Sequence, residues 1–284
     1  MSASLREMGT SDGYEAWHEV AAGCYVRRYE SFDLSCGAIV GGEGVLVVDT
    51  RESLVRGQEL AAAVRELSAL PIRAVVNTHV HFDHTFGNGA FPDTPIVAHE
   101  SVPIALPADE EWHKTRYAAD PDNPLSEEIL ATEVVAPTET FSSVWTADLG
   151  DRFVELAYPG RGHTDGDIVV RVPEVDVVYA GDLVESSAPP TYGPDSFPLD
   201  WPSTLDIVVG LLTPSSTVVP GHGPVVDRDF VQNQRGDIVD VAEQIRQQAA
   251  TGVPVDDALA RGSWPFDPDR LHDAVRRGYA ALAR

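Results

Sequence analysis

The segment Thr78-His79-Val80-His81-Phe82-Asp83-His84 places three histidines and an aspartate within seven residues. In an extended backbone the side chains of residues i and i+2 point the same way, so His79 and His81 can bind one metal ion. Asp83 and His84 follow where the chain turns, and they can reach a second metal beside the first. Imidazole and carboxylate groups together suit zinc, and iron or manganese is also compatible.

The chain before this segment alternates strand and helix signals. Apolar runs at 36–40 and 45–48 flank a glycine-rich turn, which predicts two paired strands. Residues 53–70 carry apolar positions at helical spacing, and Pro71 ends the predicted helix. The β-branched run 72–76 then predicts a strand that leads directly into the histidines. This order predicts an α/β fold.

Further ligand-type residues come directly after predicted strands later in the chain. His163 lies in Gly162-His163-Thr164, Asp182 lies in Gly181-Asp182, and His222 lies in Gly221-His222-Gly223. The predicted strands that precede them are 153–158, 175–180 and 217–219, and another strand is predicted at 167–172. Because these positions recur at strand ends, we expect them on one edge of the sheets, near the first histidines.

Composition excludes several classes of function. The chain has 284 residues, with 20 Lys+Arg and 45 Asp+Glu, so the net charge is 20 − 45 = −25. Such a surface repels phosphates and anionic lipids, so we expect no nucleic-acid partner and no membrane association. Residues 1–20 carry scattered charges and no apolar run, and two cysteines are too few for a disulfide framework. We predict a buried Cys36 and a cytoplasmic protein.

In order and spacing, the histidine and aspartate motifs resemble those of the metallo-β-lactamase superfamily across roughly residues 34–226. The resemblance implies an αββα sandwich, in which two mixed β-sheets lie face to face between outer helices. It also implies two metal ions at one edge of the sheets. Asp49 matches the family's early aspartate, and we expect it and Thr78 to support the ligands without binding metal. The implied ligands are His79, His81 and His163 for one metal, Asp83, His84 and His222 for the other, and Asp182 as a bridge between the two.

The complete histidine set with an aspartate at the bridging position resembles the glyoxalase II and lactonase side of the superfamily. It implies a binuclear zinc-dependent hydrolase, in which a metal-bound hydroxide cleaves a small ester, lactone, thioester or amide. Asp83 is the expected catalytic residue, as a ligand and a proton shuttle. A small-molecule substrate is therefore the expected partner, and a homodimer stays open as the oligomeric state.

Other functions of the same scaffold remain alternatives. A persulfide dioxygenase-like oxidoreductase would use one iron, held by the residues matching His79, His163 and Asp182. A cytosolic β-lactamase-like activity is also compatible with the chemistry. The complete ligand set disfavours a non-catalytic binding protein, and the net charge disfavours a nuclease.

Substrate contacts are predicted from the segments outside the motifs. The proline-rich segment 186–201 carries three of the expected substrate-binding residues, and the fourth precedes a ligand histidine and could bind a carboxylate. These four residues are Tyr192, Phe197, Trp201 and Arg161. Residues 99–143 are predicted as a partly helical insertion, in which Trp112 and Tyr117 could form a lid. We divide the chain into an αββα domain, 1–227, and a helical extension packed on it, 228–284.

Overall fold

Short β-branched and apolar runs form the strands of the computed structural model, which describes residues 14–283. The described residues contain thirteen strands. In chain order these are β1 (Trp17–Ala21), β2 (Cys24–Tyr29), β3 (Leu34–Val40), β4 (Val45–Val48), β5 (Ile72–Val76), β6 (Ile96–His99), β7 (Glu139–Phe141), β8 (Val144–Asp148), β9 (Phe153–Ala157), β10 (Val169–Val172), β11 (Val177–Glu185), β12 (Thr217–His222) and β13 (Val226–Asp227).

Eight α-helices connect or follow these strands in the described part of the chain. They are α1 (Leu54–Leu67), α2 (Phe82–Thr85), α3 (Val102–Ala118), α4 (Ser126–Ala131), α5 (Trp201–Leu211), α6 (Arg228–Ala250), α7 (Val255–Arg261) and α8 (His272–Leu282). Local chemistry sets some of their ends. The Ser53 hydroxyl accepts a hydrogen bond from the Arg56 N–H at the start of α1, and Asp227 does the same for Phe230 in α6.

The strands form two mixed sheets that meet at one seam. The first sheet has the order β7-β6-β5-β4-β3-β2-β1, and the second has β8-β9-β10-β11-β12-β13. The two are joined between β3 and β12 by a single residue pair, Leu34 with His222. The parallel pairs β4/β5, β5/β6 and β11/β12 align the carboxyl ends of their strands, which is where polar loops collect.

Three apolar clusters show how the layers stack. Ile39 and Val48 of the first sheet pack with Leu156 and Val170 of the second, so the inner faces of the sheets form one core. The outer face of the first sheet packs against Leu60 and Val64 of α1, together with Cys36. A third cluster joins the outer face of the second sheet to α5, α6 and α8. The layer order is therefore helix, sheet, sheet, helix, and the predicted αββα sandwich is confirmed.

Most predicted elements agree with the structure to within a few residues, and Cys36 is buried as predicted. Two strands are longer than predicted, because β11 continues through Asp182 to Glu185 and β12 continues to His222. The hairpin of β1 and β2 was not predicted. Residues 99–143 contain α3, α4 and β7, and residues 228–284 contain α6, α7 and α8.

The prediction about the first twenty residues lies partly outside the described residues, because the structure describes none of residues 1–13. Within the described chain, no helix is both long enough and apolar enough to cross a membrane.

The close contact of the two sheets predicts a specific sensitivity at Gly37. A Cβ atom at this position would lie 2.6 Å from Cε1 of Tyr179 in the opposite sheet. We therefore expect Gly37→Ala to lower the free energy of unfolding by about 1–3 kcal/mol, as overpacked cores do. The control is Gly210→Ala in α5, where nothing lies within 4 Å of the new methyl group. Urea unfolding should show an unchanged or increased stability for this control, and an equal loss in both variants would contradict the prediction.

Candidate metal centre

The histidine segment passes from extended chain into one helical turn just after β5. His79 follows the strand, and His81 has extended dihedral angles at the start of α2 (φ −60°, ψ 149°). Asp83 and His84 then lie on α2 itself. This change of backbone direction sends the first two histidines and the following pair toward two neighbouring positions, as their spacing predicts.

The second sheet brings the remaining predicted ligands to the same edge. His163 lies in the loop between β9 and β10, and His222 is the last residue of β12. Asp182 lies inside β11 rather than after it, which corrects the predicted boundary. Gly181 has φ +52°, and the pairing of β11 with β12 shifts register on both sides of it. Gly221 permits the close approach, since a Cβ there would lie 1.8 Å from Oδ1 of Asp182.

The seven predicted ligands form two groups of donor atoms, each within 4.8 Å. The first group contains His79, His81, His163 and Asp182, and the second contains Asp83, His84 and His222.

Asp182 belongs to the first group and also contacts the second. Its Oδ2 atom is 3.3 Å from Nε2 of His163 and 3.1 Å from Nε2 of His222. Its Oδ1 atom is 3.3 Å from Nε2 of His84. A single carboxylate therefore reaches histidines of both groups, which is the geometry that a bridging ligand requires.

Each of the five histidines has one ring nitrogen held by an oxygen from outside the cluster. Such outer partners fix the ring orientation of metal-binding histidines and leave the other nitrogen for the metal. The distances are 3.1 Å for His79 Nδ1 to Thr78 Oγ1, 3.0 Å for His81 Nε2 to Asp195 Oδ2, 2.9 Å for His84 Nδ1 to Asp49 Oδ2, 3.0 Å for His163 Nδ1 to Thr191 O, and 2.8 Å for His222 Nδ1 to Phe32 O.

The inward-facing atoms fit a divalent cation. Nε2 of His79 and Oδ1 of Asp182 are buried without a hydrogen-bond partner. The Nδ1 atom of His81 is 2.9 Å from Nε2 of His163, and a proton or cation between two such acceptors removes their repulsion. Buried polar atoms without partners are costly, and coordination of a metal would satisfy them. The nitrogen and oxygen donor set suits zinc.

Asp49 supports the cluster from behind, in the position predicted for it. Its carboxylate accepts hydrogen bonds from the main-chain N–H and the hydroxyl of Thr78, both at 2.8 Å, in addition to its contact with His84. Asp49 has a left-handed conformation (φ 62°), which is uncommon outside glycine. The three contacts over-determine this conformation and connect the end of β4 to the histidine segment.

Electrostatics differ between the members of the cluster. Burial lowers the pKa of His163 to about 4, because a charged imidazole loses its hydration. Burial acts in the same direction on His222, but the carboxylates of Asp182 and Asp83 outweigh it and raise the pKa to about 10. For Asp182, burial favours the neutral acid, but the surrounding histidines hold the pKa of its carboxyl well below the usual range. Without metal, the cluster therefore holds protons on some imidazoles around an anionic carboxylate.

A cavity of about 600 Å³ opens beside the cluster. Ligand residues form its floor, and apolar side chains from α2, α3 and the loop before β3 form much of its wall. The wall also contains three carboxylates that are not predicted ligands, Asp109, Glu185 and Asp195, and Arg116 is the only lysine or arginine among the described residues that line it. The main apolar contributors are Phe32, Val80, Phe82, Ala105 and Trp112.

The four predicted substrate-binding residues are not among the residues that line this cavity, and their role in substrate binding stays a prediction. Tyr192 and Trp201 are almost fully buried and pack on each other with ring centroids 5.0 Å apart, since their large apolar surfaces join the core. Arg161 instead forms an ion pair with Asp200 at 2.7 Å. Phe197 lies beside the guanidinium group of Arg161, 4.4 Å from ring centroid to Cζ.

Several residues of the site carry no local sequence signal. Asp195 follows Gly193-Pro194 in a segment that reads as an ordinary turn, and Phe32 contributes through its main-chain oxygen. His113 lines the cavity and stacks on Phe82 at 3.9 Å between ring centroids. Trp112 lines the cavity, whereas Tyr117 packs against Phe82 and is not among its lining residues. Only the tertiary fold brings these residues to the cluster.

Comparisons with known proteins agree with the fold and the motifs. A family model described as the metallo-beta-lactamase superfamily matches residues 32–222. The chain is 28% identical over 191 residues to the metallo-beta-lactamase type 2 of Bacillus cereus, and the match covers 66% of each chain. It is 28% identical over 224 residues to a linear primary-alkylsulfatase of Pseudomonas sp. (strain ATCC 19151), covering 67% of this chain and 42% of the relative.

A solved structure supports the same architecture. The metallo-beta-lactamase from Pontibacter korlensis superposes with a TM-score of 0.62 at 20% identity, covering 79% of this chain and 99% of that one. At this identity the likeness concerns the fold alone. The chain spans just under two thirds of the length of the Bacillus relative and less than half of the alkylsulfatase.

The charge state of the cluster predicts that zinc binding releases protons. At pH 7.5 His222 carries a proton in the metal-free protein, because its pKa is raised to about 10, and a metal-bound imidazole cannot keep that proton. Zinc affinity should therefore increase as the pH rises toward this pKa. Calorimetric titration of metal-free protein in buffers of different ionisation enthalpy measures the release. His272→Ala, which removes an exposed histidine, is the control and should release as many protons as the wild type. Binding without proton release would contradict the prediction.

Proposed function

Because the chain belongs to the metallo-beta-lactamase superfamily, we propose that it is a binuclear zinc-dependent hydrolase of a small ester, lactone, thioester or amide. The observation that carries the proposal is the pair of neighbouring donor groups, in which Asp182 of the first group also contacts His84 of the second. The superfamily match, the relatives and the cluster of histidines and aspartates together support a metal-dependent hydrolase. The subgroup predicted from the motifs, glyoxalase II and lactonase-like, remains part of the proposal.

The residues of the site have different roles in the proposed reaction. A bound pair of divalent metals would supply a water of lowered pKa and polarise a carbonyl group. The two groups of donor residues would hold the metals, and the Asp182 carboxylate, which contacts histidines of both groups, would bind beside both. Asp83 lines the cavity, with Oδ2 3.4 Å from Nε2 of His222, so its carboxylate can hold a proton next to the reacting group. Proton transfer by such a group contributes about 10²–10⁴-fold to a rate.

The cavity wall favours an apolar substrate body. Phe32, Phe82 and Trp112 present aromatic surface beside the cluster, and Trp112 is 48% exposed at the opening. Aromatic walls with few polar groups are typical of small-molecule sites. We propose that the acyl or leaving group of the substrate is apolar and lies against these three side chains.

β-Lactams are the second candidate class of substrate. The relative from Bacillus cereus carries the name metallo-beta-lactamase type 2, and a β-lactam ring is a cyclic amide. Their carboxylate would need a cationic partner, and Arg116 is the only arginine or lysine available to it among the described lining residues. A comparison of β-lactams with uncharged aryl esters and lactones tests the two classes directly.

The native metal content tests the proposal as a whole. Protein purified without chelators should carry about two divalent ions per chain, and removal of the metal should abolish hydrolysis of the esters, lactones and β-lactams. Elemental analysis together with turnover measures both quantities, and added zinc should restore activity. About one iron per chain, with oxygen consumed in the presence of a persulfide, would instead favour the dioxygenase alternative.

Asp83→Asn tests the proton-transfer role. The amide is nearly isosteric and can still offer one oxygen to a metal, but it has neither the negative charge nor the basic oxygen. We expect the variant to keep its fold and at least one metal while turnover falls by about 10²–10⁴-fold. Asp122→Asn removes a charge from an exposed position and is the control. At matched metal occupancy, a loss below about tenfold would assign the proton transfer to another group.

A further inference from the structure

Three arginines of the C-terminal residues 228–284 donate hydrogen bonds to main-chain oxygens of one loop. The loop comprises residues 186–200, between β11 and α5, and we call it the cavity loop. Nη2 of Arg270 donates to the oxygen of Pro189 at 3.1 Å, Nε of Arg277 donates to that of Ser196 at 2.8 Å, and Nη2 of Arg246 donates to that of Leu199 at 2.9 Å. The helices therefore contact the cavity loop near both of its ends.

Other arginines of residues 228–284 form ion pairs with carboxylates, as Arg246 also does with Glu243. Arg235 pairs with Asp206, and Arg261 pairs with Asp257. Arg277 has no carboxylate partner among the described residues, although the chain has 45 Asp+Glu against 20 Lys+Arg. Its guanidinium instead binds a main-chain oxygen and lies 5.1 Å from the ring centroid of Phe197. An arginine that binds a main-chain oxygen and stacks near a ring of the same loop restrains the backbone of that loop.

The cavity loop supplies the outer partners of two predicted ligands. The oxygen of Thr191 accepts the hydrogen bond from Nδ1 of His163, and Oδ2 of Asp195 contacts Nε2 of His81 at 3.0 Å. Both histidines belong to the first group of donor atoms, and their inward nitrogens are 2.9 Å apart. The position of the loop thus sets the orientation of both rings.

The two partners are anchored to different degrees. Thr191 is also held by Glu185, whose carboxylate accepts hydrogen bonds from its main-chain N–H at 2.8 Å and its hydroxyl at 3.1 Å. Asp195 directly precedes Ser196, the residue that Arg277 binds, and its side chain is 44% exposed. Two main-chain hydrogen bonds also hold this stretch, from Ser196 to Gly193 and from Phe197 to Gly162. Arg277 nevertheless contacts the residue next to Asp195, whereas it makes no such contact beside Thr191.

We propose that Arg277 is a positioning residue for the metal centre, and that it acts through Asp195 on His81. The inference rests on the metal centre of the proposed function, and it assigns a role to helices that lie outside the matched family region, 32–222. Loss of an outer partner of a metal-binding histidine lowers metal affinity by about 10–100-fold. Removal of Arg277 should lower metal affinity by nearly as much, although Arg277 is not among the predicted ligands.

The test compares full-length variants in a double-mutant cycle. Arg277→Ala, Asp195→Ala and the double variant are measured beside Arg261→Ala, which removes the same charge from an exposed position on α7. Zinc affinity is determined by competition with a chromophoric chelator. The visible absorption of the cobalt-loaded proteins reports the coordination geometry, and urea unfolding of the metal-free proteins reports fold stability.

We expect Asp195→Ala and Arg277→Ala each to weaken zinc binding by about tenfold or more and to alter the cobalt spectrum in the same way. The double variant should bind zinc no more weakly than Asp195→Ala, because residues that act through one another are not additive. Arg261→Ala should match the wild type. If Arg277→Ala does not fold, Arg277→Met retains the aliphatic stem without the donor and takes its place.

Two results would overturn the inference. One is an affinity and a cobalt spectrum of the Arg277 variant equal to those of the Arg261 control. The other is a fully additive loss in the double variant, which would show that the two residues act independently. If the wild type itself binds no zinc, the proposed function fails. That result differs from the two above, in which the wild type binds zinc and only the role of Arg277 is rejected.

Discussion

The close approach of five imidazoles and a buried carboxylate is the constraint on which the rest of the structure depends. Their inward atoms lie within hydrogen-bonding or slightly longer distances of one another, and Nε2 of His79 and Oδ1 of Asp182 have no hydrogen-bond partner. Such an arrangement is costly without a cation, because buried polar atoms lose their hydration. It persists only if the surrounding chain holds each side chain in place.

That support comes from both sheets and from the seam between them. His222 is the residue of β12 that pairs with Leu34 of β3, so a predicted ligand lies at the single strand pairing that joins the sheets. Asp49 at the end of β4 binds Thr78 and His84, and accepts a left-handed backbone in doing so. Neither sheet holds the complete set of predicted ligands, so the cluster is complete only where the two sheets come together.

The cavity loop adds a third layer of support that comes from the end of the chain. It carries Thr191 and Asp195 to two of the histidines, and it also forms part of the cavity wall. The arginines that hold it belong to α6, α8 and the turn before α8. Under the proposed role of Arg277, a change in the packing of these helices would alter both the candidate metal centre and the cavity beside it.

The sequence alone determined the elements whose signals are local: the strands before and after the glycine-rich turn, the helix that ends at Pro71, and the ligand-type residues near strand ends. The sequence also indicated the family, because His79, His81, Asp83 and His84 form a motif within six consecutive residues and need no tertiary contact to be recognised. Only the tertiary structure decided what lines the cavity. Tyr192 and Trp201 are aromatic residues of the kind that line binding surfaces. Burial of their apolar area in the core is more favourable than exposure in a cavity wall. Asp195 reads as a turn residue, and it reaches His81 from a loop whose backbone is contacted by Arg277, far along the chain. Contacts between residues so distant in sequence depend on packing, which no local pattern records.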